Sequence, residues 1–446
     1  MSGRHWQTVG RGVWLCLWCA WSAATVGAAT LESAPADAAN EAEVEPLTDD
    51  DLELFELFVD TLDEVQRNYV RPISRRELMD AAIEGVLSKL DDYSDYISPS
   101  EMPEFRREVE QQYGGIGIQL AVVDGVPTIA TPLLNSPAFR AGVKTGDVIT
   151  EVNGEPVEGL ELEQLIERIQ GEIGSDVTLT LDADQDREVT LTREIVHVET
   201  VMGLNRAVDG QWNFMMDEPA GIAYIRITAF SATTADEMQA VLEQLEDQDV
   251  RGIILDVRFN PGGLLATAVE VADLFLESGN IVRTAGRDGI AGDWRVARPN
   301  SQFEQVPIAV LVNRYSASGS EILAACLQDH QRAVVIGQRT WGKGSVQQLS
   351  PMESGRSALK LTTSSYQRPS GKNIHRFKRL TPEDDWGVRP DDGMEVTLSP
   401  QATRELLMFH REAFVIPSDD SEIMTLPAPD PQWAKALEVL RKRGGD

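Results

Sequence analysis

Three serines sit close together where an apolar run gives way to a helical pattern, in IAVLVN-RYSASGS-EILAACLQD. A serine at such a turn meets free backbone N–H groups and the positive end of a helix dipole, and both favour a developing oxyanion. Its hydroxyl is a weak nucleophile and needs a base beside it. The five histidines, His5, His197, His330, His375 and His410, include no HExxH pair and join no Cys/His cluster at metal-ligand spacing. No metal or other cofactor is expected, and a zinc hydrolase is excluded. His330, at a helix end, and His375, in a basic loop, read as solvated. Lys343, between Gly342 and Gly344, remains as a base if its surroundings keep it neutral. Its pKa must then fall from about 10.4 to roughly 7–8, at a desolvation cost on the order of 4 kcal/mol. The same serines also suit plain helix capping, and residue types alone do not choose among Ser316, Ser318 and Ser320.

Two glycine-containing loops bear on this chemistry. Pro261-Gly262-Gly263 follows the run GIILDV and precedes a helical pattern, so its backbone is free to turn amides toward a reacting atom. An ordinary Asn-Pro-Gly turn reads the same way. The stretch from Gly337 to Lys343 has the outline of a phosphate-binding loop, but Gly344 stands where the magnesium-binding Ser or Thr belongs. No helix pattern follows to aim at a phosphate. Nucleotide binding is set aside.

These loops need a scaffold, and the chain has room for several units in its 446 residues. Apolar residues make up 42% and charged residues 25%, as in a globular protein. The net charge of −32 repels phosphate and anionic lipid, which excludes a nucleic-acid partner. Spacings of three and four predict helices from Thr48 to about 69, around 75–90 and over 101–112, a helical unit at 48–112. Short β-runs follow, with Asn153-Gly154 as a hairpin turn and a helix at about 161–170. From about 200, IAYIRI, GIILDV, IAVLVN and AVVIG alternate with amphipathic segments. That pattern predicts a largely parallel sheet with covered faces, running to about 400. A polar tail at 401–446 is expected to carry one short helix at about 431–442.

The N-terminus reads as an export signal. Arg4, His5 and Arg11 precede the apolar run from Val13 to Val26, and small residues suit cleavage before Ala29. A run of about 14 residues is short for a membrane span, and an uncleaved anchor is the alternative. Bulky Trp18 before Cys19 argues against a lipoprotein. Cleavage would remove Cys16 and Cys19, leaving Cys326 alone and no intramolecular disulfide. Residues 29–47, rich in Ala, Glu and Pro, read as a linker.

Taken together, DVRFNPGG, NRYSASGSE and GQRTWGKGSVQ resemble the carboxyl-terminal processing peptidases, the tail-specific serine proteases. The resemblance runs from Leu52 to Pro400 and includes RPSGKNIHR and WGVRPDDG near 368–393. It implies that Ser318 is the nucleophile and Lys343 its general base. Gln347 fills the place of a glutamine that orients the amine in some members, and Asp329 that of an aspartate important in others. The N–H groups of Gly263 and Gly319 are the implied oxyanion hole, with Gly319 where many members have Ala. Residues 113–196 resemble the family's PDZ domain, and YGGIGIQL its carboxylate-binding loop, giving Gly114, Gly115, Ile116 and Gly117. Many members carry Arg or Lys where this chain has Gln170, before Gly171.

The implied fold is α/β (α+β multidomain), a crotonase-like core at 197–400 with helical and PDZ units attached. The implied activity is that of an exported, periplasmic serine endopeptidase, without metal or nucleotide. Its expected partners are protein substrates held by their C-terminal tails, with room for an adaptor protein and a homo-oligomer. The rival is a PDZ-bearing scaffold with a dead core, and the presence of both Ser318 and Lys343 speaks against it.

Overall fold

The computed structural model describes residues 46–103, 105–106, 112–123, 125–182, 187–217, 219–287, 291–299, 303–417 and 430–444. The expected export signal and all but the end of the linker lie outside them. Helix α1 (Asp49–Asn68) starts at a reciprocal cap, where the Thr48 hydroxyl accepts from the Asp51 N–H and the Asp51 carboxylate accepts from the Thr48 N–H. Helix α2 (Arg75–Leu87) is capped by Ser74. The helix expected over 101–112 is seen at 102–103 and 105–106, and most of its second half lies outside the described residues. A short strand that the sequence did not suggest, β1 (Asp95–Ile97), follows α2 and pairs far away in the chain, with residues 358–360.

The second unit is mostly sheet. Strand β2 (Gln112–Gly115) pairs with residues 194–197, and a larger antiparallel sheet runs β3 (Ile118–Val123), β4 (Val126–Pro132), β5 (Val148–Val152), β6 (Asp176–Asp182), β7 (Arg187–Thr192). Asn153 and Gly154 both have positive φ, 53° and 74°, as the tight hairpin turn requires. Helix α3 (Leu162–Ile169) buries Leu165 and Ile169 in the same cluster as Ile129, Ile149, Leu179 and Leu181.

In the third unit, strands β8 (Ile222–Ile227), β9 (Gly252–Asp256), β10 (Ile308–Val312) and β11 (Ala333–Gly337) lie side by side and parallel. Every one of their residues is buried, because both faces are covered. On one face Ile225, Leu255, Val310 and Val335 meet α4 (Thr234–Glu246), α5 (Leu265–Asp273) and α6 (Gly319–Asp329). On the other, Tyr224, Ile254, Leu311 and Ile336 meet α7 (Pro400–Glu412) and α8 (Pro431–Gly444). The stretch after 400 is thus no loose polar tail: Phe409, Trp433 and Leu440 close this second face. Beside this sheet, the hairpin β12 (Ser345–Met352) and β13 (Ser357–Gln367) forms a second, antiparallel sheet with β1 and residues 280–285.

A buried arginine ties α8 to the loop after β9. Arg258 is fully buried; it binds both carboxylate oxygens of Asp256, and its Nη1 donates to Asp430 at 2.6 Å and Gln432 at 2.8 Å. Burial works against its charge, but Asp256 and Asp430 outweigh burial and hold it ionised. Removing one buried acceptor leaves a charged donor short of a partner, at a cost of about 1–3 kcal/mol. Asp430→Ala is therefore expected to lower the unfolding free energy by that much, read as a lower urea midpoint with an unchanged m-value. An unmoved midpoint would show that α8 contributes nothing through this contact.

Candidate active site

The three serines of the turn are alike in sequence and differ in their hydrogen bonds. Ser316 Oγ donates to the Val257 carbonyl at 2.8 Å and accepts from the Asn313 N–H. Ser320 Oγ donates to the Asn260 carbonyl at 3.0 Å. Both hydroxyls are therefore used to fasten the serine turn to the loop after β9. Ser318 Oγ, in a residue only 1% exposed, has no hydrogen-bond partner among the described residues. Its backbone lies at φ 53°, ψ −113°, a strained conformation for a non-glycine residue. Packing thus singles out one serine.

Gly262 lies against it so closely that a Cβ there would stand 2.6 Å from Ser318 Cβ. The Gly262 N–H is taken by Asn260 Oδ1, at 2.8 Å. The N–H groups of Gly263 and Gly319 donate to no acceptor among the described residues, as an oxyanion site requires. Gly319 opens α6, where the first amides have no intrahelical partner. A Cβ on Gly319 would meet the Phe230 ring at 2.9 Å, so the buried Phe230 accounts for glycine here in place of alanine.

Lys343 follows β11 and is 4% exposed. Burial pushes its amine down to about 7, Lys360 adds to the push, and Glu321 opposes it. An amine in that range is partly free at neutral pH and can accept a proton. The loop carrying it is held by the Glu321 carboxylate. Glu321 Oε1 accepts from Thr340 Oγ1 (2.5 Å) and the Gly342 N–H (2.8 Å), and Oε2 accepts from the N–H groups of Lys343 (2.8 Å) and Ser318 (3.0 Å). One side chain thereby binds the backbones of both candidate residues. Burial pushes the Glu321 carboxyl up to about 7, against four donors that favour the carboxylate. Sequence reasoning missed this residue. Its signal was the Ser-x-x-Glu spacing of Ser318 and Glu321, the mark of a capping box.

The other expected residues are distributed around this centre. Gln347 is buried on β12 and donates to Ser345 Oγ and Thr362 Oγ1. Asp329 lies at the far end of α6, about 16 Å along the helix from Ser318. There it binds Arg368 at 2.7 Å and the Ser370 N–H at 2.9 Å, which makes it an anchor for the segment after β13. His330 is half-buried with Nε2 on the Asn280 carbonyl at 2.7 Å, and His375 is half-buried beside Gly344, so neither is the solvated residue expected.

In the second unit, the Ile116 carbonyl accepts from Ala138 N–H and that of Gly117 from Leu133 N–H and Ser136 Oγ. The N–H groups of Ile116 and Gly117 have no acceptor among the described residues, which suits a carboxylate ligand. Gly114 and Gly115 belong to β2, opposite Ile195 and Glu194. A Cβ on Gly114 would lie 2.8 Å from the Gly171 carbonyl, so the turn at Gln170 packs on this loop. Beneath the turn, buried Arg193 donates to the carbonyls of Ile169 and Asp176. Positive charge is thus present under the turn even without a basic residue at 170.

Residues 221–391 match peptidase family S41, and residues 128–182 match the PDZ domain. A carboxy-terminal-processing protease of Bartonella bacilliformis is 32% identical over 406 residues, 86% of this chain and 87% of that one. A carboxy-terminal processing protease of Bacillus subtilis is 33% identical over 325 residues, 72% of this chain and 66% of that one. Among solved structures, a photosystem II D1 C-terminal processing protease aligns at 30% identity with a TM-score of 0.44, covering 80% of this chain and 95% of that one. By the extent of the Bartonella match, together with its S41 and PDZ units, the chain belongs to peptidase family S41, among the carboxy-terminal processing proteases.

Proposed function

We propose that this protein is an exported serine endopeptidase that cuts near the C-termini of protein substrates through a Ser318–Lys343 dyad. The observation that carries the reading is the selection at the serine turn. Two hydroxyls are spent on backbone carbonyls, while the third, that of Ser318, is left unspent in a residue whose backbone N–H shares the Glu321 carboxylate with the loop of a buried lysine. In the first step Ser318 Oγ attacks the scissile carbonyl while the Lys343 amine takes its proton. The N–H groups of Gly263 and Gly319 hold the oxyanion, and the ammonium then protonates the departing nitrogen. Water, deprotonated by the same amine, attacks the acyl-enzyme, the ester bond to Ser318 Oγ breaks, and the ammonium returns the proton to that oxygen as the acid is released. Gln347, on the strand that follows the lysine loop, holds β12 in register with β13 through Thr362. The amides of Ile116 and Gly117 take the terminal carboxylate of the substrate tail.

Because nucleophile and base act as a unit, Ser318→Ala and Lys343→Ala are each expected to abolish nearly all turnover, and the double variant to be little worse. Ser316→Ala loses two hydrogen bonds and Ser320→Ala one, at about 1 kcal/mol of stability each, and both variants keep substantial activity. The base must be unprotonated, so kcat/KM rises with pH through about 7, where burial has placed the amine. A Lys343→Ala enzyme with wild-type rates would end the dyad assignment.

Tail recognition is tested on one peptide with a free or an amidated C-terminus. Amidation removes the charge proposed to sit on the loop amides, so cleavage is expected to slow by about tenfold or more. Equal rates on the two peptides would leave the dyad standing and remove the tail-binding role.

Export rests on the sequence of residues 1–28, and among the described residues no helix is long and apolar enough to cross a membrane. Mass spectrometry of protein from a periplasmic fraction is expected to give an N-terminus near Ala29. An intact Met1 or Ser2 on membrane-bound material would favour the uncleaved anchor.

A further inference from the structure

The Lys343 amine is covered from outside its own unit. The segment Asp91–Ile97, which follows the two N-terminal helices, lies along β13, where β1 sets Asp95 opposite Lys360 and Ile97 opposite Ala358. Just before β1, the Asp91 carboxylate accepts from the N–H groups of Tyr93 (2.7 Å) and Ser94 (2.8 Å), from Ser94 Oγ (3.0 Å) and from Thr362 Oγ1 (3.2 Å). Ser94 Oγ in turn accepts from the Thr362 N–H at 3.1 Å. The segment cannot slide along β13 without breaking this net.

Fixed in this way, the segment places the Tyr93 ring over the base, with Lys343 Nζ 5.1 Å from the ring centroid. His375 stands edge-on to Tyr93 at 6.4 Å, and Phe377 backs His375 at 4.6 Å. The same segment supplies Asp95, 3.5 Å from the Nζ of Lys360, which is 6% exposed. The titratable and charged groups around the amine are therefore Tyr93, Asp91 and Asp95 from this segment, Lys360 from β13, Glu321 from α6 and His375 from the loop after β13. Glu321 favours the ammonium, while burial and Lys360 favour the free amine.

We propose that Tyr93 is a positioning residue for the general base: its ring, carried in by the N-terminal unit, completes the wall of the Lys343 pocket and shuts out water, while Asp95 keeps Lys360 beside it. The proposal rests on the dyad reading above. A ring face also attracts a cation, which works in the opposite direction. Water solvates an ammonium more strongly than a ring does, so replacing the ring by water raises the amine's affinity for a proton. The N-terminal helices thus act as more than a spacer before the PDZ unit, since the segment they carry finishes the active site.

The test is the pH dependence of kcat/KM on one peptide for the purified mature chain, with thermal melting run on each variant. Tyr93→Ala is expected to move the rising limb up by about one pH unit, with about a tenfold loss near neutrality that closes at high pH. Tyr93→Phe keeps the ring and is expected to follow the wild-type profile. Lys360→Met removes a like charge and is expected to move the limb upward as well. If Tyr93→Ala melts too low to assay, Tyr93→Gln fills part of the space with a polar tip and is expected to give a shift in the same direction. A limb that stays in place, or an equal loss at every pH, overturns the proposal. A fully active Lys343→Ala would instead overturn the dyad reading beneath it, and an inert Lys343→Ala with an unmoved Tyr93→Ala profile overturns the cap alone.

Discussion

The arrangement depends on one buried carboxylate. Ser318 and Lys343 come from separate loops, and Glu321 accepts from the backbone N–H of each, as well as from Gly342 and Thr340. Thr340 passes the restraint outward by pairing with Val388 through both its backbone and its hydroxyl. Burial opposes the carboxylate's charge and the four donors favour it, while its field pulls the Lys343 amine toward protonation. The amine titrates near 7 when folded, against an ordinary value of 10.5, so the unfolded chain holds more protons between those limits. Stability from this group therefore rises as the pH climbs through that window. Below it the full cost of burying the amine is felt, on the order of 4 kcal/mol.

The parallel sheet explains why three remote loops converge. The Pro-Gly-Gly loop follows β9, the serine turn follows β10 and the lysine loop follows β11. These strands are neighbours in register, so their carboxyl ends form one edge, the usual place for a site in an open α/β sheet. This geometry is also what made the site legible in the sequence. Each loop is announced by a largely apolar run, as strands buried on both faces require.

What stayed hidden in the sequence depends on long-range contact. A carboxylate in the first turn of a helix reads as a solvated, dipole-favouring residue, and nothing local shows that Glu321 is buried. β1 has three residues and its partner lies more than 260 positions away, too little for any periodicity to reveal. Helix α7 was overlooked because its charged residues conceal the few that matter, Leu406 and Phe409. The three serines could not be ranked because their difference lies in which carbonyls the fold places within reach of each hydroxyl.

The Arg258 contact with residues 430–432 also imposes an order on biosynthesis. The guanidinium that steadies the loop before Gly262 and Gly263 finds two of its acceptors 172 and 174 positions later in the chain. A ribosome must therefore make nearly the whole protein before that loop has its full support. Through synthesis the emerging chain therefore carries the serine turn at 316–320 before the loop packed against it is fully braced. Full support for the loop before Gly262 and Gly263 thus arrives late, with residues 430–432, whatever the order in which the earlier strands fold.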